Sequence, residues 1–184
     1  MKRSALLLMD FQNGIVDALL KDGSLLDRVD KASWHAREKS MPVIYVSVRL
    51  PAGQSVSDNN KIFSAYAQSG TLDEGSSATE IHPGAGFKPG DSLVVKRRVG
   101  AFAGSDLDMA LRTRNIDTLW LAGIATSGVV LSTLRQAADL DYAVNVLSDC
   151  CFDPDPQVHD VLMNKVFPRQ ADIRTLADME NAKA

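Results

Sequence analysis

Three stretches of the chain place chemically useful groups at the ends of apolar runs. Asp10 follows Ala5 to Met9 (ALLLM), Lys96 follows SLVV, and the stretch GIATSGVVLST from Gly123 to Thr133 leaves a third apolar run and enters a helix. A carboxylate that ends a buried run must be paired or put to use, because burying an isolated charge is costly. A lysine at the end of a second buried run suits that pairing, since each ion favours the charged form of the other. Together they offer a proton donor or acceptor with an electrostatic partner, the equipment of general acid–base catalysis. The third stretch offers backbone instead. The first amides of a helix point outward unpaired, Thr126 or Ser127 can cap it, and Gly128 leaves room for a ligand to approach that cradle.

Each feature also has a plain structural reading. Asp10 can cap the turn that follows it. Lys96 can snorkel at a strand end, and Gly128 can serve close helix packing. Arg49 can hold an anionic group through a bidentate contact, or make a surface salt bridge. Phe11, Gln12 and Phe102 stand near these ends and are candidates for shaping the substrate side of a site. Arg97 and Arg98 read as solvated surface charge.

The elements that would position these residues alternate between short apolar runs and helical patterns, the signature of βα units around a parallel sheet. Six strands are expected: Ala5 to Met9, Val43 to Val48, Ser92 to Lys96, Thr118 to Ala122, Ala143 to Leu147 and Asp172 to Thr175. Helices are expected near Leu25 to Met41, Ser105 to Asn115, Ser127 to Asp141 and Gln157 to Phe167. In such sheets ligands sit outside the carboxyl ends of the strands, where the strand order reverses, and the ends of these strands carry Asp10, Arg49, Lys96, the Gly123 turn and Asp149. From Leu50 to Asp91 the apolar periodicity is weak. A connection this long reads as a lid or oligomer-contact excursion within a single domain spanning 1–184, or as a surface excursion without a role.

Composition narrows the function classes. The chain has 184 residues, 45% of them hydrophobic, enough for one globular domain with a substantial core. Its 20 Lys and Arg against 23 Asp and Glu leave a net charge of -3, with no basic block for nucleic acid, so a small-molecule partner is expected. The amino-terminal apolar run is too short to span a membrane and lacks a signal-peptide cleavage pattern, so a cytoplasmic location is expected. Cys150 and Cys151 are adjacent and poorly placed to bridge each other, and read as buried hydrophobes. The histidines, His35, His82 and His159, are scattered without metal-ligand spacing; no metal and no other cofactor is expected.

Three blocks in order carry a family resemblance: ALLLMDFQNGIVD at Ala5 to Asp17, IHPGAGFKPGDSLVVKRRVGAF at Ile81 to Phe102, and LWLAGIATSGVVLSTLRQAADLDYAVNVLSDCCFD at Leu119 to Asp153. The sequence resembles the isochorismatase-like hydrolases, which include nicotinamidases, N-carbamoylsarcosine amidases and isochorismatase. The resemblance implies a three-layer αβα, Rossmann-like fold with a six-stranded parallel sheet, and a homodimer or higher homo-oligomer. In the family's amidases an Asp takes the proton of a cysteine thiol, a Lys supports the charge, and the thiolate attacks an amide carbonyl. Asp10 and Lys96 match that Asp and Lys. The family's cis peptide in the turn would fall at Ile124–Ala125, and its oxyanion donors would be the amides of Ala125 and Val129.

The pattern breaks at the nucleophile. The family's cysteine stands three residues after the turn threonine, and counting from Thr126 reaches Val129, which has no nucleophilic atom. Cys150 and Cys151 fall in a later segment, and Arg49-Leu50-Pro51 lacks the Asp and His that bind metal in nicotinamidases. Water-based hydrolysis with Asp10 and Lys96 is expected; isochorismatases resemble this in carrying Gly rather than Cys, although in this chain the glycine is one position earlier, at Gly128. Ser127 or Ser132 as nucleophile is disfavoured, because each points elsewhere on the helix and a hydroxyl is harder to deprotonate than a thiol. The alternative is an inactive homologue that binds a small molecule without turnover.

Overall fold

The computed structural model describes residues 3–51 and 56–182. Six parallel strands form one sheet in the order β3-β2-β1-β4-β5-β6. They are β1 Ser4–Met9, β2 Val43–Val48, β3 Ser92–Lys96, β4 Thr118–Ile124, β5 Ala143–Phe152 and β6 Asp172–Arg174. The chain begins in the middle of this sheet, builds outward through β2 and β3, then crosses back to place β4 on the free side of β1. The strand order therefore reverses between β1 and β4, and the crevice at their carboxyl ends is where such sheets bind ligands.

Alternation along the strands divides the core in two. Ala5, Leu7 and Met9 of β1 join Leu121 of β4 under α4 (Leu107–Arg112) and α5 (Leu131–Asp139). Leu6 and Leu8 join Tyr45 and Trp120 under α1 (Asn13–Leu19), α2 (Ser24–Glu38) and α7 (Leu176–Asn181). The fold is thus a three-layer αβα sandwich. A central strand covered on both faces has no polar side to show, which is why ALLLM reads as continuous rather than alternating. The short helix α6 (Pro156–Val161) buries none of its own residues and leads into the wider turn Leu162–Val166, which does pack on the core.

Two strands run further than their sequence patterns predict. β4 continues through Gly123 and Ile124, and β5 extends to Phe152 by means of a bulge: Leu121 pairs with Val146, but Gly123 pairs with Cys151. Two steps along β4 thus match five along β5. The cysteines lie inside β5, not after it, and point into opposite layers, Cys150 toward α2 and Cys151 toward the Val129 side.

The excursion after β2 is more ordered than its weak periodicity predicts. Within it α3 (Lys61–Ser69) is capped by the Asn60 side chain and closed by Gly70 at φ 67. Phe63 and Leu72 bury themselves against Val48 and Leu50 in a small core of their own. The returning chain pairs antiparallel with the segment after β1, Gln12 opposite Ile81. Part of the excursion, 52–55, lies outside the described residues.

One glycine is required by packing. A Cβ on Gly123 would stand 2.9 Å from the Met9 carbonyl oxygen and 3.2 Å from a Val129 methyl carbon. Gly123→Ala is therefore expected to destabilise the protein by about 1–3 kcal/mol through overpacking. Urea unfolding of the variant measures this, and an unchanged midpoint would contradict the close fit.

Candidate active site

β1 does not end by simply continuing its alternation. The Asp10 amide still donates to Val46 at 2.9 Å, extending the ladder with β2, but the residue itself takes φ 63. This left-handed conformation is uncommon outside glycine and clusters at functional sites. It turns the chain sharply between Met9, in one layer, and Phe11, in the other. The carboxyl group is left at the carboxyl edge of the sheet, at the switch point.

There it meets Lys96 at the end of β3. The Lys96 Nζ lies 3.0 Å from Asp10 Oδ2, and the side chains are 1% and 8% exposed. The ammonium also donates to the carbonyls of Arg98, at 3.1 Å, and Val99, at 2.8 Å. Its three donors are thus all used, and the lysine is an acceptor-saturated, buried cation. Asp10 is not saturated: its Oδ1 is buried and has no hydrogen-bond partner among the described residues. Burial raises the Asp10 carboxyl above its ordinary value of 3.8, with the charge and hydrogen bond of Lys96 opposing that rise. A carboxyl that holds its proton longer than usual, with one free oxygen, is equipped to donate or accept a proton.

The turn after β4 supplies the other wall. The Ile124–Ala125 peptide is cis. Thr126–Val130 then winds as a single π turn before α5 begins, and the Ala125 carbonyl accepts from the amides of Gly128 (3.1 Å) and Val130 (3.3 Å). Val129 is buried and packs against Gly123, next to Met9 and hence next to the strand end that carries Asp10. The loop after β3 lies over this turn: Ala101 donates its amide to the Thr133 hydroxyl at 3.0 Å, and Val99 approaches Gly128. Asp10, Lys96 and the turn containing Ala125, Thr126, Gly128 and Val129 are therefore brought to one place.

Other candidates fall elsewhere. Gln12 is fully buried, and its amide is spent on the backbone: Nε2 donates to Val48 and Thr79, and Oε1 accepts from the Val48 amide. It pins the excursion to β2 and has no group left for a substrate. Phe11 is fully buried in the α2 layer, on the other side of the sheet from Val129. Phe102 stacks on Tyr142 and lies in the same core cluster as Val129 and Met9. The assignment of Phe11 to the substrate side is corrected by its placement, which follows from strand alternation. Arg49 remains near the site end of β2, its Nε donating to Ser47 Oγ at 3.2 Å and its guanidinium 3.9 Å from Glu80. The Ser127 residue is exposed, while burial pushes the Cys151 thiol up to about 12, so neither presents an activated nucleophile.

Two residues that sequence reasoning passed over touch the turn directly. Asp153, buried just beyond β5, accepts the Ser127 amide on Oδ2 at 2.7 Å. The buried Thr126 hydroxyl lies 2.8 Å from His159 Nδ1 on α6. The run DPDP marks a helix start, which Asp155 caps, but nothing in the sequence ties Asp153 or His159 to a turn some thirty residues earlier.

Breaking the ion pair has a signed consequence. In the folded chain Asp10 keeps its proton to higher pH than unfolded, so the stability it contributes is lost as pH rises from 3.8 through the raised folded value. Lys96→Met removes the opposing charge, pushes the carboxyl higher still, and is expected to cost about 3–5 kcal/mol at neutral pH. Its deficit against the native protein should grow as pH rises above the native carboxyl's raised value toward the variant's still higher one, where only the folded variant still holds the proton. Urea unfolding across a pH series checks the slope; a deficit that shrinks with rising pH would contradict it.

Comparison with known proteins follows the same architecture. The family model described as Isochorismatase domain matches residues 4–178. The isochorismatase family protein YwoC of Bacillus subtilis (strain 168) is 32% identical over 174 residues, covering 95% of this chain and 90% of that protein. The ureidoacrylate amidohydrolase RutB of Stutzerimonas stutzeri (strain A1501) is 44% identical over 70 residues, 38% of this chain and 28% of its own. The structure of an isochorismatase family protein from Burkholderia thailandensis superposes with a TM-score of 0.79 at 28% identity, over 96% of this chain and 93% of that one.

Proposed function

This chain belongs to the isochorismatase family, and from that premise we propose that it hydrolyses a small molecule without a cysteine nucleophile. The observation that carries the proposal is the buried Asp10–Lys96 pair with Asp10 Oδ1 unpartnered among the described residues; the absence of a cysteine from its chemistry is our reading of Val129, which stands where the family resemblance puts the nucleophile. Asp10 is the acid and base. In its protonated form it gives its proton to the leaving atom of a scissile bond, or to the terminal carbon of a vinyl ether. Water adds at the electrophilic carbon, and the proton it sheds returns to the Asp10 carboxylate. The bond to the leaving atom then breaks, directly for a protonated amine and by collapse of the hemiketal to a ketone and an alcohol for a vinyl ether. Lys96 holds the carboxylate's charge between those steps. The amides of Ala125 and Val129 are the donors for negative charge that develops on an oxygen. Arg49, at the end of β2, is the group that would meet an anionic part of the substrate.

The described part of the excursion, 56–91, acts in this proposal as a lid from the same chain or as a contact to a second copy. Its return strand is fixed beside Asp10 by the Phe11, Gln12 and Asn13 contacts, including the amide of Asn13 to Glu80 at 3.0 Å. An inactive, ligand-binding homologue is the second reading. The observation in its favour is that Val129 is 1% exposed and packed into the core, occupying the place of a reacting group with methyl groups.

Two substitutions separate these readings. A panel of primary amides, ureido and carbamoyl compounds and isochorismate is assayed for hydrolysis. Asp10→Asn is expected to lower turnover about 10²- to 10⁴-fold. Turnover that survives it would remove Asp10 from the chemistry, and binding seen by thermal shift with no turnover in the native protein would favour the inactive homologue. Val129→Cys is expected to create amidase activity where the native chain has little; a folded variant that gains none would mean that residue 129 does not face Asp10.

A further inference from the structure

The turn that carries Val129 is not held by its own backbone alone. Two side chains from the segment following β5 grip its first two residues. Asp153 Oδ2 accepts the Ser127 amide at 2.7 Å, and its Oδ1 accepts the Asp155 amide at 3.2 Å. His159 Nδ1 lies 2.8 Å from the Thr126 hydroxyl, which is fully buried. A buried hydroxyl without a partner would be costly, so the imidazole is the group that makes this threonine tolerable at the start of the turn. Either tautomer serves, because a hydroxyl both donates and accepts. The Asp153 carboxylate also faces the positive end of the π turn and α5 together, where a negative charge is stabilising.

We infer that Asp153 and His159 are positioning residues of the candidate active site. They fix the consecutive residues Ser127 and Thr126 and thereby set where residue 129 and the amide of Ala125 face. Neither touches the Asp10–Lys96 pair: each acts through the turn. Asp153 occupies the Ser127 amide, so that amide is a fixed anchor of the turn and not a free donor for the substrate. A cap alone needs only one of these contacts. Two contacts on adjacent residues, both from the short stretch Asp153 to His159, fix the turn's rotation as well as its end. The inference rests on the reading of the site proposed above, and the test separates the two.

The thiol introduced by Val129→Cys serves as the probe, since its alkylation by iodoacetamide reads both its approach and its ionisation, and Asp10 and Lys96 are the charged groups it is proposed to face. The rate and its pH midpoint are measured for Val129→Cys alone and with Asp10→Asn, His159→Ala, His159→Asn, Thr126→Val or Asp153→Ala added. His159→Ala and Thr126→Val remove the same bond from its two sides. Each is expected to change the alkylation rate about tenfold and to move the midpoint, because residue 129 is buried and small displacements of a reacting group alter both its access and its ionisation on that scale or larger. Asp153→Ala should act in the same direction. His159→Asn keeps a polar atom close to the Nδ1 position and should bring the rate back most of the way. Thermal melts accompany each variant, and Thr126→Val, which preserves shape, decides the outcome should His159→Ala not fold. If the thiol's rate and midpoint are indifferent to Asp10→Asn, the proposed acid–base reading fails while the clamp is still read from the rates. If they respond to Asp10→Asn but stay unchanged in folded Thr126→Val and Asp153→Ala, the positioning role is overturned.

Discussion

The contact on which the site depends is a single buried ion pair. A lysine and an aspartate from different strands meet at 3.0 Å with almost no access to water. Burying both is expensive, and their attraction offsets that cost only where the remaining donors and acceptors are satisfied. The lysine meets this condition completely, through Asp10, Arg98 and Val99. The aspartate meets it by half. The missing half is Oδ1, and it is the one buried side-chain polar atom without a partner among the described residues. Native proteins rarely leave such an atom idle. The strand order explains how the two ions meet at all, because β2 lies between β1 and β3 and only side chains turned off the ends of the strands can cross it.

Much of this was legible in the sequence, for physical reasons that can be named. β1 and β4 are covered on both faces, so their apolar runs are unbroken and an ionisable residue at the end stands out. This is why Asp10 could be picked from the sequence; Lys96 instead ends β3, an edge strand whose Leu93 is exposed, so the expected buried run is corrected there and the lysine was legible only as the close of a short apolar stretch. The limits of β4 and β5 were not legible. The bulge in β5 lets an acidic, cysteine-containing stretch stay in the sheet, and no local pattern announces a bulge. The helix α3 was hidden by its setting, since its apolar residues cover only a small satellite core. Phe11 was misjudged because sequence proximity to a strand end says nothing about which layer a side chain enters.

The least legible contacts are those between the turn and the stretch beyond β5. Thr126 and Ser127 look in the sequence like helix-capping residues that satisfy the turn locally. In the structure they are instead partners for side chains from the next βα unit. Asp153 and His159 carry no motif, and their meaning comes only from β5 lying beside β4. The same neighbour relation brings Cys151 opposite Gly123, yet there burial keeps the thiol protonated and the outcome is packing. One strand pair thus delivers two polar anchors and one inert sulfur to the same end of the sheet, and burial and hydrogen bonding decide which is which.

The triple engagement of the Lys96 ammonium has a further meaning for the charge on Asp10. Two of its acceptors are carbonyls of the loop after β3, which lies over the turn. Where that loop sits therefore sets how many acceptors the ammonium has, and with them how strongly it favours the charged form of Asp10. Loop position and the protonation state of Asp10 are linked equilibria, each able to bias the other. The backbone beyond β3 is thus part of the electrostatics of a carboxyl group two strands away.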